Sequence, residues 1–445
     1  MNDPTIFAPA SGGGRAGIAV IRVSGADCAA ALRRLAGGGL PEPRRATRVS
    51  LADPATGEVL DEALALWFPA PASYTGEDVA ELHLHGGPAV VSSLLEALGG
   101  CPGLRPAAPG EFTRRAFING KLDLTAAEGL ADLVNAETEA QRRQALRQMQ
   151  GELGRLYEDW RQRLLGAVTQ LEAAIDFSDQ DLGGASGAMV DKVRREIAAL
   201  AGDIDAHLSD GRRGERLREG VHLAIVGPPN VGKSSLLNLL ARRDAAIVSA
   251  DEGTTRDVIE VHLDLGGYPA VVADTAGLRA PGGAVETEGV RRALRRAEDA
   301  DLKLAVLDPG TLDDRHLVDL VDDDTIVLIN KIDLDPAGLP GEIQGRRALA
   351  ISVHSGQGID AMMAVLEREI AEKCRVSGPP SLTRSRHRLA LVDCRQALER
   401  ALRTAVSELA AEDLRLASRA LGRITGRVDV EDILDAIFEN FCIGK

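Results

Sequence analysis

The chain has 445 residues, enough for about three domains at ~150 residues each. Its formal net charge at pH 7 is −15, which excludes a general basic surface for nucleic acid, so such a substrate would need a local basic face or a partner. No stretch reaches the roughly 18 apolar residues of a membrane span, and the first residues lack the apolar segment of a signal peptide. The five cysteines are scattered and odd in number, which fits neither a disulfide framework nor a metal pair. These features predict a cytoplasmic protein with no membrane segment.

The first part of the chain alternates short apolar runs with Gly and Pro. Strands are predicted over 17–23, 63–68 and 79–85, and a helix over 88–98, which together indicate an α+β domain. From Leu122 to about Leu208 the residues predict long helices, with a loop at 177–187.

A third type of sequence pattern begins at Val221, where strands are predicted to alternate with helices. The predicted strands are 222–226, 259–265, 269–273, 302–307, 325–330 and 348–352. This alternation predicts a doubly wound, mainly parallel sheet. Helical character without strands is predicted from Leu382 to Phe441, after a Gly-Pro-Pro break. We therefore expect an α/β domain inserted into one helical domain whose two parts pack together, with divisions at 1–121, 122–215, 216–377 and 378–445.

The strongest local signal is a phosphate loop, Gly-Pro-Pro-Asn-Val-Gly-Lys-Ser at 227–234, between a predicted strand and a predicted helix. The glycines let backbone N–H groups face the phosphates. Lys233 provides positive charge to the β and γ phosphates, and the Ser234 hydroxyl is a candidate ligand for Mg²⁺. Nucleotide contacts are predicted for Gly227, Asn230, Val231, Gly232, Lys233, Ser234 and Ser235.

Two more segments are expected near the phosphates. Asp274 ends a predicted strand, where its carboxylate can hold Mg²⁺ through water, and the predicted contacts here are Asp274, Thr275, Ala276 and Gly277. Thr255 lies in the loop between this segment and the phosphate loop, where it can complete the Mg²⁺ shell when triphosphate is bound. That loop is therefore a candidate order–disorder switch.

A fourth motif, Asn330-Lys331-Ile-Asp333, ends another predicted strand. The Asp333 carboxylate can accept hydrogen bonds from N1 and the exocyclic amine of guanine. Adenine does not offer this pair, so the predicted nucleotide is GTP. The loop with Ser352, Val353 and His354 is predicted to complete the base site, although Val and His depart from the usual pattern.

Hydrolysis needs a group that orients water, and the sequence offers one candidate. Leu278 stands where Ras-type enzymes place a glutamine. Glu286, just beyond, is the candidate for holding the water through a second water, although a solvated glutamate is the simpler interpretation of its position. The amide oxygen of Asn230 is a candidate ligand for a monovalent cation where an arginine finger would otherwise reach.

With these residues, the chain resembles the tRNA-modification GTPase family MnmE, also called TrmE. The resemblance rests on the segments at 21–25, 73–88 and 109–124, on the GTPase motifs, and on the terminal Phe-Cys-Ile-Gly-Lys at 441–445. It implies an N-terminal folate-binding and dimerisation domain, an all-α helical domain and an inserted Ras-like GTPase domain.

The resemblance also implies roles for particular residues. K⁺ would be held by Asn230, Ser249, Asp251 and Thr254, with the acidic pair Asp251-Glu252 as a departure from the commoner pattern. Glu286 would be catalytic beside Lys233 and Asp274, and Ser249, Thr254 and Thr255 would line the nucleotide. A tetrahydrofolate derivative (5-formyl- or 5,10-methylene-) would contact Arg22, Glu81, Lys121 and Lys445.

The family installs an aminomethyl or carboxymethylaminomethyl group at C5 of the wobble uridine of certain tRNAs. It does so as a homodimer with an FAD-dependent partner of the MnmG type, in a heterotetramer or larger complex, and folate supplies the carbon unit. Cys442 is either a nucleophile beside the folate site or a small buried hydrophobe. His83 and His85 invite a metal interpretation, but no third ligand of matching spacing follows them.

Two other function classes compete with this enzyme. A ribosome-assembly GTPase usually carries a second GTPase domain or a basic appendage, and this chain has one phosphate loop and a net charge of −15. A folate-sensing scaffold, whose GTPase regulates a partner, is not separated from the enzyme by sequence.

Overall fold

A computed structural model describes residues 3–178, 185–243, 260–273, 300–312, 321–334, 338–375, 380–428, 431–438, 441–442 and 444. The chain divides into two compact units. The first comprises residues 1–131, 149–161 and 421–445, and the second comprises 132–148 and 162–420. Among the described residues, no helix combines the length and the apolar character needed to cross a membrane.

The first unit is built on a six-stranded sheet in the order β3-β4-β5-β2-β1-β6, antiparallel except for the β1–β6 pair. On β5 the apolar residues Leu82 and Leu84 point into the core while Glu81 and His83 lie on the other face, as period-two alternation requires. The strands are β1 Thr5–Pro9, β2 Ala16–Ser24, β3 Thr47–Ala52, β4 Val59–Phe68, β5 Val79–Gly86 and β6 Leu104–Pro106.

Helices α1 (Cys28–Ala36) and α2 (Pro88–Gly99) cover the apolar face of this sheet. Helix α3 (Glu111–Ile118) follows β6, and Phe112 from this helix packs with Ile6 and Tyr74. The α+β character predicted for this region is therefore confirmed.

The predicted long helices after Leu122 are also present, with short breaks between them. Helix α6 has 27 residues and α7 has 24. The bounds are α4 Leu124–Val134, α5 Glu139–Met149, α6 Glu152–Ser178, α7 Ala185–Leu208 and α8 Arg213–Glu219.

The second unit contains a seven-stranded sheet in the order β12-β13-β11-β10-β7-β9-β8. Only the β8–β9 and β12–β13 pairs are antiparallel, which confirms the mainly parallel sheet. The strands are β7 Val221–Val226, β8 Glu260–Leu265, β9 Tyr268–Ala273, β10 Leu302–Leu307, β11 Thr325–Ile329, β12 Glu342–Ile343 and β13 Arg346–Ala350. Every residue of β10 and β11 is buried, as expected for continuous apolar runs in a parallel sheet. Helices α9 (Lys233–Arg243) and α10 (Ile359–Cys374) belong to the same region.

The helical character predicted from Leu382 to Phe441 is confirmed wherever the structure describes this tract. It forms α11 (Ser385–Arg403), α12 (Ser407–Thr425) and α13 (Glu431–Phe438). The first helix ends where Thr404 adopts extended backbone, with ψ of 140°. The second ends at Gly426, whose φ of 85° only glycine adopts easily.

The chain enters and leaves the α/β region through two segments in contact, which we call the neck (residues 210–219 and 381–388). A Cβ on Gly214 would overlap the carbonyl oxygen of Leu382, so the two backbones touch. The carboxylate of Glu215, whose side chain is 3% exposed, accepts hydrogen bonds from Arg212 at 2.7 Å and Arg388 at 3.0 Å. Helix α11, which leaves the neck, packs against α7. Within the second unit, the segments before and after the α/β region are thus packed together.

Candidate functional site

The phosphate loop follows β7 and leads directly into α9, as its sequence predicted. Its backbone depends on three residues with positive φ: Gly227, Asn230 at 65° and Gly232 at 102°. A Cβ on Gly227 would overlap the carbonyl oxygen of Val306, and one on Gly232 would overlap the Nδ2 atom of Asn330. The glycines are therefore required by close packing against β10 and against the base motif as well as by the backbone conformation.

Lys233, the first residue of α9, points its side chain back into this loop. Its ammonium donates hydrogen bonds to the carbonyl oxygens of Gly227 at 2.7 Å and Pro228 at 2.6 Å. Burial lowers the pKa of Lys233. The positive charge thus lies inside the loop, at the N-terminal end of a helix whose dipole also favours anions.

The remaining residues of the loop fall into two groups. Ser234 and Ser235 are exposed on the first turn of α9. The side chain of Val231 is completely buried in the core of the α/β region. Any contact that Val231 makes with a nucleotide must therefore come from its backbone.

The base motif is physically linked to the phosphate loop. The side chain of Asn330, 3% exposed, donates to the Val231 carbonyl at 2.8 Å and accepts from the backbone N–H of Val353 at 3.0 Å. One buried amide therefore connects three of the predicted nucleotide segments, and their relative positions are fixed by its two hydrogen bonds.

Asp333 lies beside these segments with its carboxylate partly exposed. The hydroxyl of Ser352 donates to Asp333 Oδ1 at 2.6 Å, and this hydrogen bond lowers the pKa of Asp333. His354 is highly exposed, and its Nδ1 lies 4.0 Å from Asp333 Oδ2. The structure thus brings Asn330, Asp333, Ser352 and Val353 together, with an ionised carboxylate as the acceptor.

Sequence reasoning missed one residue of this site. Asp308, immediately after β10, places Oδ2 2.7 Å from the ammonium of Lys331. The available signal was a carboxylate at the end of a predicted parallel strand, where such residues gather in α/β proteins.

Several predicted residues lie outside the described part of the chain. They are Ser249, Asp251, Thr254, Thr255, Asp274, Thr275, Ala276, Gly277, Glu286 and Lys445.

A second candidate site lies in the first unit, around Arg22. Arg22 on β2 is the direct cross-strand neighbour of Glu81 on β5, and its Nε and NH2 groups donate to Glu81 Oε1 at 3.0 and 2.9 Å. The guanidinium lies 5.1 Å from the ring centre of Tyr74 and 5.7 Å from that of Phe112. Its NH1 group also donates to the carbonyl of Gly444 at 3.3 Å. The C-terminal segment therefore reaches this site in the same unit.

The other predicted residues of this region are placed differently. Lys121 is exposed and donates to the Pro71 carbonyl at 2.9 Å. Among the residues that the structure describes, no hydrogen bond joins it to Arg22 or Glu81. Cys442 is exposed, so its interpretation as a buried hydrophobe was wrong.

The two histidines of β5 each have a carboxylate neighbour. His85 Nδ1 lies 2.7 Å from Asp61, and His83 Nε2 lies 3.7 Å from Glu81. Within the described ranges, no three His, Cys, Asp or Glu side chains gather as a metal site.

A polar network beside Arg22 was not found from sequence. The buried guanidinium of Arg115 binds Glu77 at 3.1 Å and Glu111 at 2.9 Å, and Ser24 donates to Glu77 at 2.7 Å. Arg105 also donates to Glu111, at 2.6 Å. Burial alone would raise the pKa of Glu111, but hydrogen bonds from Arg105, the Ala108 backbone and Arg115 lower it to about 2. Phe112 follows Glu111 on α3, and Ser24 lies 2.7 Å from Thr75, the residue after Tyr74, so the network is next to the two aromatic residues.

The parallel sheet, its phosphate loop and the linked base motif define a P-loop GTPase domain within a larger α and α+β protein. Residues 5–121 match the family described as GTP-binding protein TrmE N-terminus, and residues 124–442 match the MnmE helical domain. The chain therefore belongs to the MnmE family of tRNA modification GTPases.

Individual relatives are similar in sequence to this chain along almost its whole length. The chain is 57% identical to a tRNA modification GTPase MnmE of Paramagnetospirillum magneticum, over 99% of both chains. It is 50% identical to a mitochondrial 5-taurinomethyluridine tRNA synthase subunit of Danio rerio, over 100% of this chain and 93% of that one. Among solved structures, the G domain of the T. maritima FeoB iron transporter is 23% identical with a TM-score of 0.27, covering 35% of this chain and 99% of that one.

Proposed function

We propose that this protein hydrolyses GTP as a step in the modification of tRNA. The observation that carries the proposal is the single linked site formed by the phosphate loop, Asn330 and the ionised Asp333, in a chain that belongs to this family. We propose that the modification is installation of an aminomethyl or carboxymethylaminomethyl group at C5 of the wobble uridine, with the carbon unit from a tetrahydrofolate derivative.

In this proposal each residue of the phosphate site has a defined task. Lys233 neutralises charge on the β and γ phosphates, and the backbone N–H groups of the loop orient them. The exposed Ser234 hydroxyl next to Lys233 is an oxygen ligand of the kind that Mg²⁺ prefers. Ser234 would hold Mg²⁺ together with Thr255, and with Asp274 acting through water. Bound Mg²⁺ would neutralise developing phosphate charge, while Glu286 orients the attacking water.

Guanine selection is assigned to Asp333, and one substitution tests it. Wild type should bind GDP far more tightly than ADP. Asp333→Asn should lose this preference and gain affinity for xanthosine diphosphate, because an amide N–H can donate to the C2 carbonyl of xanthine. Equal affinity of wild type for GDP and ADP would overturn the assignment.

A potassium requirement is assigned to Asn230. Its exposed side chain has no hydrogen-bond partner among the described residues, and its φ of 65° presents it from the turn of the loop. GTPase rates should be higher in K⁺ than in Na⁺ at equal ionic strength, and Asn230→Ala should remove the difference. Asn238→Ala, at an exposed position on α9, is the matched control. Equal wild-type rates in both salts would rule out the cation site.

Folate binding is assigned to Arg22, Glu81, Lys121 and Lys445. The pairing of Arg22 with Glu81, with the guanidinium over the rings of Tyr74 and Phe112, supports a site for a flat, polar, anionic ligand. Calorimetry with 5-formyl-tetrahydrofolate should lose its heat in Arg22→Ala. The control is Arg48→Ala, which removes an ion pair of 3.2 Å with Glu62 between the neighbouring strands β3 and β4 of the same sheet. Equal loss in both variants would argue against a specific site.

The remaining assignments follow the family. We propose a homodimer formed through residues 1–121, an FAD-dependent partner of the MnmG type in a heterotetramer or larger complex, tRNA as substrate and a cytoplasmic location. The domain division at 1–121, 122–215, 216–377 and 378–445 is proposed with them. Nucleoside analysis of wobble uridine in a deletion strain, with and without the complementing gene, tests the tRNA reaction directly.

A further inference from the structure

The ion pair between Asp308 and Lys331 lies where two parallel strands end side by side. Leu307 on β10 is level with Ile329 on β11, and the backbone N–H of Asn330 donates to the Leu307 carbonyl at 2.7 Å. Asp308 is therefore brought level with the base motif, and its Oδ2 lies 2.7 Å from Lys331 Nζ.

Asp308 is itself held in place by its own loop. Its Oδ1 accepts a hydrogen bond from the backbone N–H of Gly310 at 3.2 Å and lies 3.1 Å from the hydroxyl of Thr311. Burial alone would raise the pKa of Asp308, but hydrogen bonds from Lys331 and Thr311 and the charge of Lys331 lower it. The carboxylate is thus ionised at neutral pH, and its own loop holds it in place independently of the lysine.

Lys331 contacts one carboxylate and is close in sequence to a second. The first is Asp308, and the second is Asp333, two residues later in the same turn. The backbone of Lys331 is left-handed, with φ of 64°, which is uncommon for a lysine. No ion pair joins Lys331 to Asp333 within the described residues, and the Asp333 carboxylate is engaged by Ser352 through Oδ1.

We propose that Asp308 is a positioning residue for guanine recognition: by holding the ammonium of Lys331, it leaves the Asp333 carboxylate available to the base. This inference rests on the proposed function. Without the charge of Asp308, the lysine is free to reach Asp333. An ammonium there competes with the base N–H donors for the same oxygens, because both are strong donors to a carboxylate.

Hypoxanthine provides the measurement, because it keeps N1–H but lacks the exocyclic amine. The ratio of GDP to IDP affinity therefore reports how well Asp333 serves that amine. Asp308→Asn should lower this ratio about threefold to tenfold, the range of one weakened charge-assisted hydrogen bond. Asp308→Glu, which keeps the charge, should restore most of it.

Two further variants separate positioning from general stability. Asp322→Asn breaks a similar ion pair, Lys303–Asp322 at 2.5 Å, at the opposite end of the same two strands, where Thr325 also binds the aspartate. It should lower the midpoint of thermal unfolding and leave the ratio unchanged. Lys331→Met added to Asp308→Asn removes the competitor, so the double variant should have the same ratio as Lys331→Met alone.

The outcomes distinguish the two levels of inference. If wild type shows no preference for GDP over ADP, the proposed function itself fails. If that preference is present and Asp308→Asn keeps the wild-type ratio of GDP to IDP affinity, or Asp322→Asn lowers the ratio equally, the positioning role is overturned. If Asp308→Asn does not fold, Thr311→Val loosens the carboxylate while keeping its charge. It should lower the ratio about twofold, and an unchanged ratio there also overturns the role.

Discussion

Substituting Gly232 with Ala should damage the nucleotide site more than the rest of the domain. The φ of Gly232 is 102°, and the added methyl would overlap the side-chain nitrogen of Asn330. Forcing an alanine into this conformation costs about 1–3 kcal/mol. Displacing the Asn330 side chain would also break its hydrogen bonds to Val231 at 2.8 Å and Val353 at 3.0 Å. Each lost hydrogen bond costs about 1 kcal/mol.

The total of about 3–5 kcal/mol corresponds to a loss of about 150-fold to 4,000-fold in GDP affinity. Part of it is expected to appear as lower folding stability instead, so both quantities must be measured. Fluorescent GDP titration gives the first, and urea unfolding of the nucleotide-free protein gives the second.

The control is Gly345→Ala, in the turn between β12 and β13. Gly345 also has positive φ, at 73°, but an added methyl there would meet no atom within 4 Å. It should lose about 1 kcal/mol of stability from backbone strain and bind GDP normally. If Gly232→Ala binds GDP within threefold of wild type and unfolds at the same urea concentration, the packing argument is refuted.

Three other predictions concern the first unit. Since the pKa of Glu111 is lowered from 4.5 to about 2, the stability that it contributes should be complete above pH 4.5 and fade as pH falls towards 2. Urea midpoints of wild type and Glu111→Gln should therefore differ at pH 7 and converge near pH 2, and a constant gap would contradict this assignment. Cys442 is the exposed cysteine and the other four are buried, so Ellman's reagent should label one thiol quickly in native protein and none in Cys442→Ser; several fast thiols would contradict the burial. A methyl on Gly444, whose φ is 103°, would overlap the Pro9 carbonyl. Gly444→Ala should therefore weaken 5-formyl-tetrahydrofolate binding about tenfold and leave GTPase activity unchanged. Unaltered folate binding would show that the hydrogen bond from Arg22 to the Gly444 carbonyl is dispensable.

The features that were predictable from sequence are those fixed by neighbouring residues. The phosphate loop is recognisable from eight consecutive residues, because its backbone must turn within that length whatever surrounds it. The strands β10 and β11 were equally evident, since an apolar run without alternation suits a strand covered on both faces.

Contacts between residues far apart in sequence depend on which strands become neighbours. Asp308 and Lys331 are 23 residues apart, and only the parallel register of β10 and β11 brings their side chains together. Arg22 and Glu81 are 59 residues apart, and their pairing requires β2 and β5 to be adjacent in the sheet. Local patterns carry no information about strand order, so the resemblance to a family supplied the second pair and nothing supplied the first.

The neck has a consequence for how the protein can be rebuilt. Because Gly214 touches Leu382, the excursion between them begins and ends at almost one point. Domains whose own termini lie close together are tolerated as insertions at such points. If the region between them is the inserted GTPase domain proposed above, a short turn or a foreign domain such as a fluorescent reporter should be accepted in its place while α7 and α11 keep their packing.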